Sequence, residues 1–151
     1  MTSDVLPPGD RTAISPTADQ LAAVDGLPAD EAVVMLNLLR FREVADYSRH
    51  PDLAPDVQIS GAEAYARYGA AAMPHLSTTG AELVYRASAR ATIIGPVGEE
   101  WDEVVLVRYP SPAAFLGMVT APEYVRLSGH RTAALADSRL VATAPNDRPA
   151  D

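Results

Sequence analysis

The chain has no cysteine, and every one of its 12 basic residues is an arginine. Without thiols there is no disulfide, no thiolate nucleophile and no Cys-ligated metal. Without lysine there is no Schiff base and no P-loop lysine to grip a phosphate. Positive charge is scarce altogether: 12 basic residues against 20 acidic ones give a formal charge of −8. No basic face is left to neutralise phosphates, so nucleic acid is excluded as a partner, and anionic membrane surfaces are disfavoured. Apolar runs long enough to span a bilayer are absent, and the N-terminus MTSDVLPPGDRT lacks the apolar core of a secretory signal. The expectation is a cytoplasmic protein with no membrane partner. His50, His75 and His130 show no metal-ligand spacing, so neither a metal nor a cofactor is expected, and nothing requires haem on His75 or His130. Phosphate-cradling glycine loops and serine nucleophile elbows are missing too.

What is present suits one domain: 151 residues, of which 48% are hydrophobic, are enough for a single core. Residues 1–29 read as an N-terminal arm with a short helix, 30–144 as the domain, and 145–151 as an unstructured tail. Thr17-Ala-Asp-Gln20 has capping-box spacing and starts a helix to about Val24, stopped by Gly26 and Pro28. AVVMLNLLRF at 32–41 is apolar at nearly every position, the pattern of a strand covered on both faces. The stretch 42–59 is rich in proline and acid and reads as a loop. Ser60-Gly-Ala-Glu63 caps a helix with Tyr65, Tyr68, Ala72 and Leu76 as its stripe, which Pro74 should kink or end. Residues 81–94 alternate like a strand and turn through Gly95, Pro96 and Gly98 into a second strand, WDEVVLVRYPS at 101–111. Ser111 caps a helix, Thr120-Ala-Pro-Glu123 opens another to about Ala134, and 137–144 forms a last strand.

This order is the ferredoxin-like β-α-β-β-α-β arrangement of the α+β class, with an antiparallel sheet. Helices cover one face of such a sheet, whereas the apolar strands 32–41 and 104–107 predict that both are covered. A homodimer placing sheet on sheet meets that requirement.

Four ordered blocks, VMLNLLRFRE at 34–43, SGAEAYARYG at 60–69, WDEVVLVRYPS at 101–111 and EYVRLSGHRTAALADSRL at 123–140, resemble the domain-of-unknown-function family thirteen-thirty. That family lies within the dimeric α/β-barrel superfamily, and the resemblance spans roughly residues 30–142. It implies ferredoxin-like subunits that dimerise through their sheets. Relatives in the superfamily include cofactor-free monooxygenases, muconolactone-type isomerases, polyketide cyclases and decarboxylases, and haem-dependent enzymes, so reaction class stays open. The monooxygenases often combine Asn, Trp and Arg. Their motif positions do not match here, and no role is carried over.

The residues themselves offer a short list of candidates. His130 is the candidate acid or base, because histidine titrates near neutrality; the alternative is a satisfied or exposed helical histidine. Arg131 and Arg40 present planar donors for a carboxylate or enolate, or else pair with Asp102, Glu103 or Asp137. Asp102 either orients His130 or an arginine, or sits solvated at a strand edge. Asn37, mid-strand among aliphatics, requires a partner: a bulge, another side chain or a ligand carbonyl. Trp101 is a core or dimer anchor or a substrate platform. Tyr68, Tyr85 and Tyr109 line a substrate pocket or pack as core, and His75 closes a helix end or lines the same pocket. Together they point to a cofactor-independent enzyme performing isomerisation, cyclisation or lactone chemistry on a carbonyl-containing, anionic small molecule. The alternatives are cofactor-free oxygenation of a phenolic or polyketide-like substrate, and a non-catalytic ligand-binding dimer.

Overall fold

The computed structural model describes residues 12–146; the parts of the expected arm and tail that fall on 1–11 and 147–151 lie outside them. Thr17 opens α1 (Ala18–Asp25) with both bonds of the capping box: its hydroxyl accepts the Gln20 N–H at 3.1 Å, and the Gln20 side chain accepts the Thr17 N–H at 2.9 Å. β1 (Val33–Phe41) follows, then a long connection containing one 3-10 turn, Pro51–Leu53. Ser60 Oγ accepts the Glu63 N–H at 3.1 Å and starts α2 (Gly61–Thr79). Ser60→Ala removes that acceptor from the first turn and should lower unfolding free energy by about 1 kcal/mol, read from the urea midpoint. Pro74 does not end α2, which runs on to Thr79 and closes on Gly80 in the left-handed region. The carbonyl that loses its helical donor to Pro74 belongs to Ala70, an exposed residue whose backbone water can serve.

β2 (Glu82–Ser88) is shorter than the alternation at 81–94 predicts. Its partner β3 (Glu103–Tyr109) begins opposite Ser88, and beyond that point the ladder continues only as the Ala89 N–H bond to the Asp102 carbonyl at 2.9 Å. Ile93, Ile94 and Val97 are consequently exposed. A bulge between Leu83 and Tyr85 also splits the face that looked continuous: Leu83 stands opposite Val107, and Tyr85 opposite Leu106. α3 (Pro112–Thr120) is capped by Ser111 Oγ, which accepts the Ala114 N–H at 3.1 Å. The single helix expected over 120–134 is two, α4 (Pro122–Leu127) and α5 (Gly129–Ala134). Thr120 does not cap α4; its hydroxyl donates to the Leu116 carbonyl at 2.6 Å. β4 (Leu135–Thr143) ends the fold.

The strands form one antiparallel sheet in the order β2-β3-β1-β4. Val33, Met35 and Leu39 of β1 and Val105, Val107 and Tyr109 of β3 share one face and are buried under the helices. Leu39 and Leu135, both fully buried, mark where the end of β1 meets the start of β4.

The ferredoxin-like α+β topology is as the sequence predicts, but the dimeric α/β barrel is corrected. β2 and β4 are two unjoined edges, so the sheet is open and does not curl into a barrel. The expected covered second face, and the sheet-to-sheet homodimer drawn from it, rested on the apolar runs 32–41 and 104–107. In the fold Val34, Leu36 and Leu38 are only half-buried, and Tyr85 of β2 and Val141 of β4 are 54% and 51% exposed. An apolar strand in the middle of a four-stranded sheet is shielded by its neighbours without a second layer, which is why the run misled. No helix among the described residues is long and apolar enough to cross a membrane.

Candidate active site

The connection after β1 folds back over α5. The Arg42 N–H donates to the Ala134 carbonyl at 2.8 Å, and the Asp46 N–H to the Ala133 carbonyl at 2.9 Å. Gly129, at the start of α5, lets the loop approach: a Cβ there would stand 2.6 Å from Leu53 Cδ1 and 2.8 Å from His50 Cγ. These contacts bring the buried Tyr47 against His130. The Tyr47 hydroxyl and His130 Nδ1 are hydrogen-bonded at 2.7 Å, with the rings edge-on and 5.5 Å apart. Among the described residues Nε2 of His130 takes no protein hydrogen bond. The pair can exist in two forms. With the phenol donating to Nδ1, Nε2 carries a proton and is an acid; with Nδ1–H donating to the phenol oxygen, Nε2 offers its lone pair as a base.

Burial lowers the His130 pKa from its ordinary value, and the positive charge of Arg67 and then His50 add to the effect. The ring is therefore neutral at pH 7. Burial raises the Tyr47 pKa, against a smaller pull from Arg67, so the phenol is protonated as well. The sign for stability follows: folding favours neutral His130, so its contribution is fully present above the unfolded value near 6.5 and is lost as pH falls through the lower folded value. In Arg67→Gln the histidine should titrate at higher pH than in wild type. An NMR titration of the imidazole measures the shift, and an unchanged midpoint counts against Arg67 as a contributor.

A second group lies between the helices and the sheet. Phe41, Tyr65, Tyr68, Tyr124 and His75 form a row of ring contacts, with successive centroids 5.4, 5.3, 6.2 and 6.2 Å apart. The Tyr68 and Tyr124 hydroxyls are hydrogen-bonded to each other. Tyr109 stacks edge-on with Phe115 at 5.1 Å. Burial raises the phenol pKa of Tyr65, Tyr109 and Tyr124, so these three phenols are uncharged at neutral pH.

The other sequence candidates are dispersed. Asn37 sits on the helix-covered face between Met35 and Leu39, and its amide donates to the Val105 carbonyl at 3.2 Å and the Met35 carbonyl at 3.4 Å. Its partners are thus the sheet's own carbonyls, a solution outside the three the sequence offered. Arg40 is exposed and points to the opposite face. The Asp102 carboxylate accepts the Phe41 N–H at 2.8 Å and is not the partner of His130, which is Tyr47. Trp101 packs under the Arg139 guanidinium at 5.2 Å. Tyr85 is on the open face, away from Tyr68 and Tyr109. Arg131, next to His130 in the chain, makes its contacts with Ile14 and Ser138 and forms no part of the Tyr47 pair. Sequence reading missed Tyr47, Arg67 and Tyr124. Tyr47 lay in a loop judged by composition alone, and nothing local signals a bond to a residue 83 positions away.

A groove of about 610 Å³ runs between the end of α2 and the start of α3 and α4, lined by Pro74, His75, Thr79, Gly117, Met118 and Glu123. Neither His130 nor Asn37 borders it. Among the described residues no three His, Asp or Glu side chains converge as they would to hold a metal ion.

With the geometry in place, comparison with known proteins is informative about kinship. Residues 54–144 match the family model described as domain of unknown function DUF1330. Crystal structures of the RPA0582 protein, a protein of unknown function from Rhodopseudomonas palustris, superpose with TM-scores of 0.80. One is 37% identical over 90% of this chain and 96% of its own; the other is 36% identical over 91% and 99%. The chain belongs to the DUF1330 family. The family match takes in three of the four blocks noted in the sequence, and the likeness to RPA0582 extends it over most of the chain. A hydroxynitrile lyase from Passiflora edulis is similar at 12% identity over 80% of this chain and 99% of its own, with a TM-score of 0.48, too remote to bear on activity. A search of the curated proteins gives no match. Membership in DUF1330 therefore brings the fold but no reaction, and function has to be argued from the side chains.

Proposed function

We propose that this protein is a cofactor-independent acid–base catalyst acting on a carbonyl-containing, anionic small molecule. The observation that carries the reading is the 2.7 Å bond between Tyr47 and His130 Nδ1, which orients the imidazole and leaves Nε2 unengaged among the described residues, while burial favours the neutral ring. In the reaction Nε2 takes a proton from the carbon beside the substrate carbonyl. The carbon–hydrogen electron pair moves into an enolate, and the same nitrogen returns the proton to that carbon or a conjugated one. Tyr47 holds the ring throughout by accepting the Nδ1–H, in the neutral base and in the imidazolium alike. Arg67 places positive charge where it favours the enolate or a substrate carboxylate, the part expected of Arg131 or Arg40 from sequence. Isomerisation, cyclisation and lactone chemistry all begin with this step.

A second reading, ligand binding without turnover, has one observation in its favour. Among the described residues no fully buried side-chain nitrogen or oxygen lacks a hydrogen-bond partner, and the large groove lies away from His130. One experiment separates the two. A panel of 2-oxo and β-keto acids in deuterated water is followed by proton NMR for loss of the signal beside the carbonyl. Catalysis predicts exchange above the buffer rate with wild type and not with His130→Gln. Exchange at the buffer rate across the panel with wild type leaves the binding reading in place.

A further inference from the structure

Arg131 lies on α5 and is half-buried, yet among the described residues no carboxylate reaches ion-pair distance of it. The nearest acid in sequence, Asp137, is engaged elsewhere. Its Oδ1 accepts the Ala13 N–H at 2.9 Å, the Ser138 N–H at 2.8 Å and an Arg139 N–H at 2.7 Å. The described partners of the Arg131 guanidinium are neutral: the Ile14 carbonyl and, at 3.5 Å, the Ser138 hydroxyl. A half-buried guanidinium held by neutral oxygens would form stronger, charge-assisted hydrogen bonds with a carboxylate.

The group occupying that position is the chain's own N-terminal segment. Its docking is unlike a strand extension, in which backbone pairs with backbone. Here side chains read the segment: Asp137 takes the Ala13 N–H, the Ser138 hydroxyl donates to the Ala13 carbonyl at 2.6 Å, and Arg131 donates to the Ile14 carbonyl. Two donors thus meet two successive carbonyl oxygens, while the Ile14 side chain packs against the core. A carboxylate on an apolar body can bridge the same two donors, since an Arg131 guanidinium nitrogen and the Ser138 hydroxyl lie 3.5 Å apart, with an apolar group in place of Ile14. Its negative charge makes both hydrogen bonds stronger than those of a peptide carbonyl. Behind the segment the Arg131 charge also bears on the Tyr65 and Tyr124 phenols, so the position borders the aromatic row.

We infer that Arg131 and Ser138 form a binding site for a small apolar monocarboxylate, and that residues 13–14 occupy it as a removable strap. The site lies apart from the Tyr47–His130 pair and does not depend on that pair's being catalytic. Binding requires the strap to leave, so loosening it should tighten apparent affinity in proportion to the docked fraction.

The probe is benzoate, titrated calorimetrically against the full chain. Ala13→Pro with Ile14→Gly removes the N–H that Asp137 accepts and the packed side chain. This double variant should bind benzoate about tenfold more tightly than wild type, as expected for a strap docked about nine-tenths of the time. Adding Arg131→Gln should abolish the gain, and neutral benzamide should show none. Equal affinity in wild type and double variant, a gain that survives Arg131→Gln, or the same gain with benzamide overturns the inference. If the double variant does not fold, hydrogen exchange at the Ala13 amide of the wild-type chain decides the matter. Exchange that speeds up as benzoate approaches saturation supports displacement of the strap, and unchanged or slower exchange refutes it.

Discussion

Gly61→Ala should destabilise the domain by about 3–5 kcal/mol, more than ordinary overpacking, because the new atom meets backbone rather than a side chain that can turn aside. A Cβ on Gly61 would stand 2.2 Å from the Arg42 carbonyl oxygen, 2.6 Å from that of Ala134 and 2.7 Å from the Arg42 nitrogen. Three segments cross here, the exit of β1, the start of α2 and the end of α5. They are held by the Gly61 N–H on the Arg42 carbonyl at 3.0 Å and the Arg42 N–H on the Ala134 carbonyl at 2.8 Å. For a domain of this size the loss corresponds to a melting temperature lower by about 10 °C or more, measured by calorimetry. The effect should reach the candidate site as well, since the same crossing launches the loop that carries Tyr47 onto α5. A melting temperature within about 2 °C of wild type would mean that the crossing gives way easily.

His130→Gln should reduce any carbonyl-adjacent proton exchange by about 10²–10⁴-fold, the usual contribution of a positioned acid–base group, while leaving the fold intact. Glutamine can keep a hydrogen bond to the Tyr47 hydroxyl but cannot exchange protons near neutrality, so it separates structural from chemical work. The rate comparison is made at pH 7, where wild-type His130 is neutral, alongside circular dichroism of both proteins. Loss of rate with an unchanged spectrum fits proton transfer by His130. Retained rate assigns the chemistry to another group.

Legibility in the sequence followed the range of the interactions. The caps at Thr17, Ser60 and Ser111 each close within three residues and all three form, although at Ser60 only the hydroxyl half of the expected capping box is present. The strand patterns were sufficient for the ferredoxin-like order, because polar interruptions are few and the turns carry glycine or proline. Local pattern failed where a partner decides the outcome. The alternation of 81–94 continues past Ser88, but β3 does not extend to meet it. The break between α4 and α5 at Ser128 serves Gly129, whose missing side chain makes room for His50 and Leu53 from a distant loop. At the candidate site His130 was legible by its chemistry and Tyr47 was not, because their contact joins residues 83 apart. Arg131 was read as a donor for a substrate carboxylate or enolate, or as an ion-pair partner. That it would hold the chain's own Ile14 carbonyl has no sequence signature, since a main-chain oxygen belongs to every residue.

The most direct test of the account is the titration of His130 itself. Heteronuclear NMR of ¹⁵N-histidine-labelled protein follows both ring nitrogens from pH 4 to 9, with Tyr47→Phe as the comparison. The structure predicts a wild-type midpoint below the ordinary histidine value of about 6.5, and a tautomer balance that changes when the Tyr47 hydroxyl is removed. A midpoint at or above 6.5 with nitrogen shifts indifferent to Tyr47→Phe would contradict it, and the acid–base assignment would fall with it.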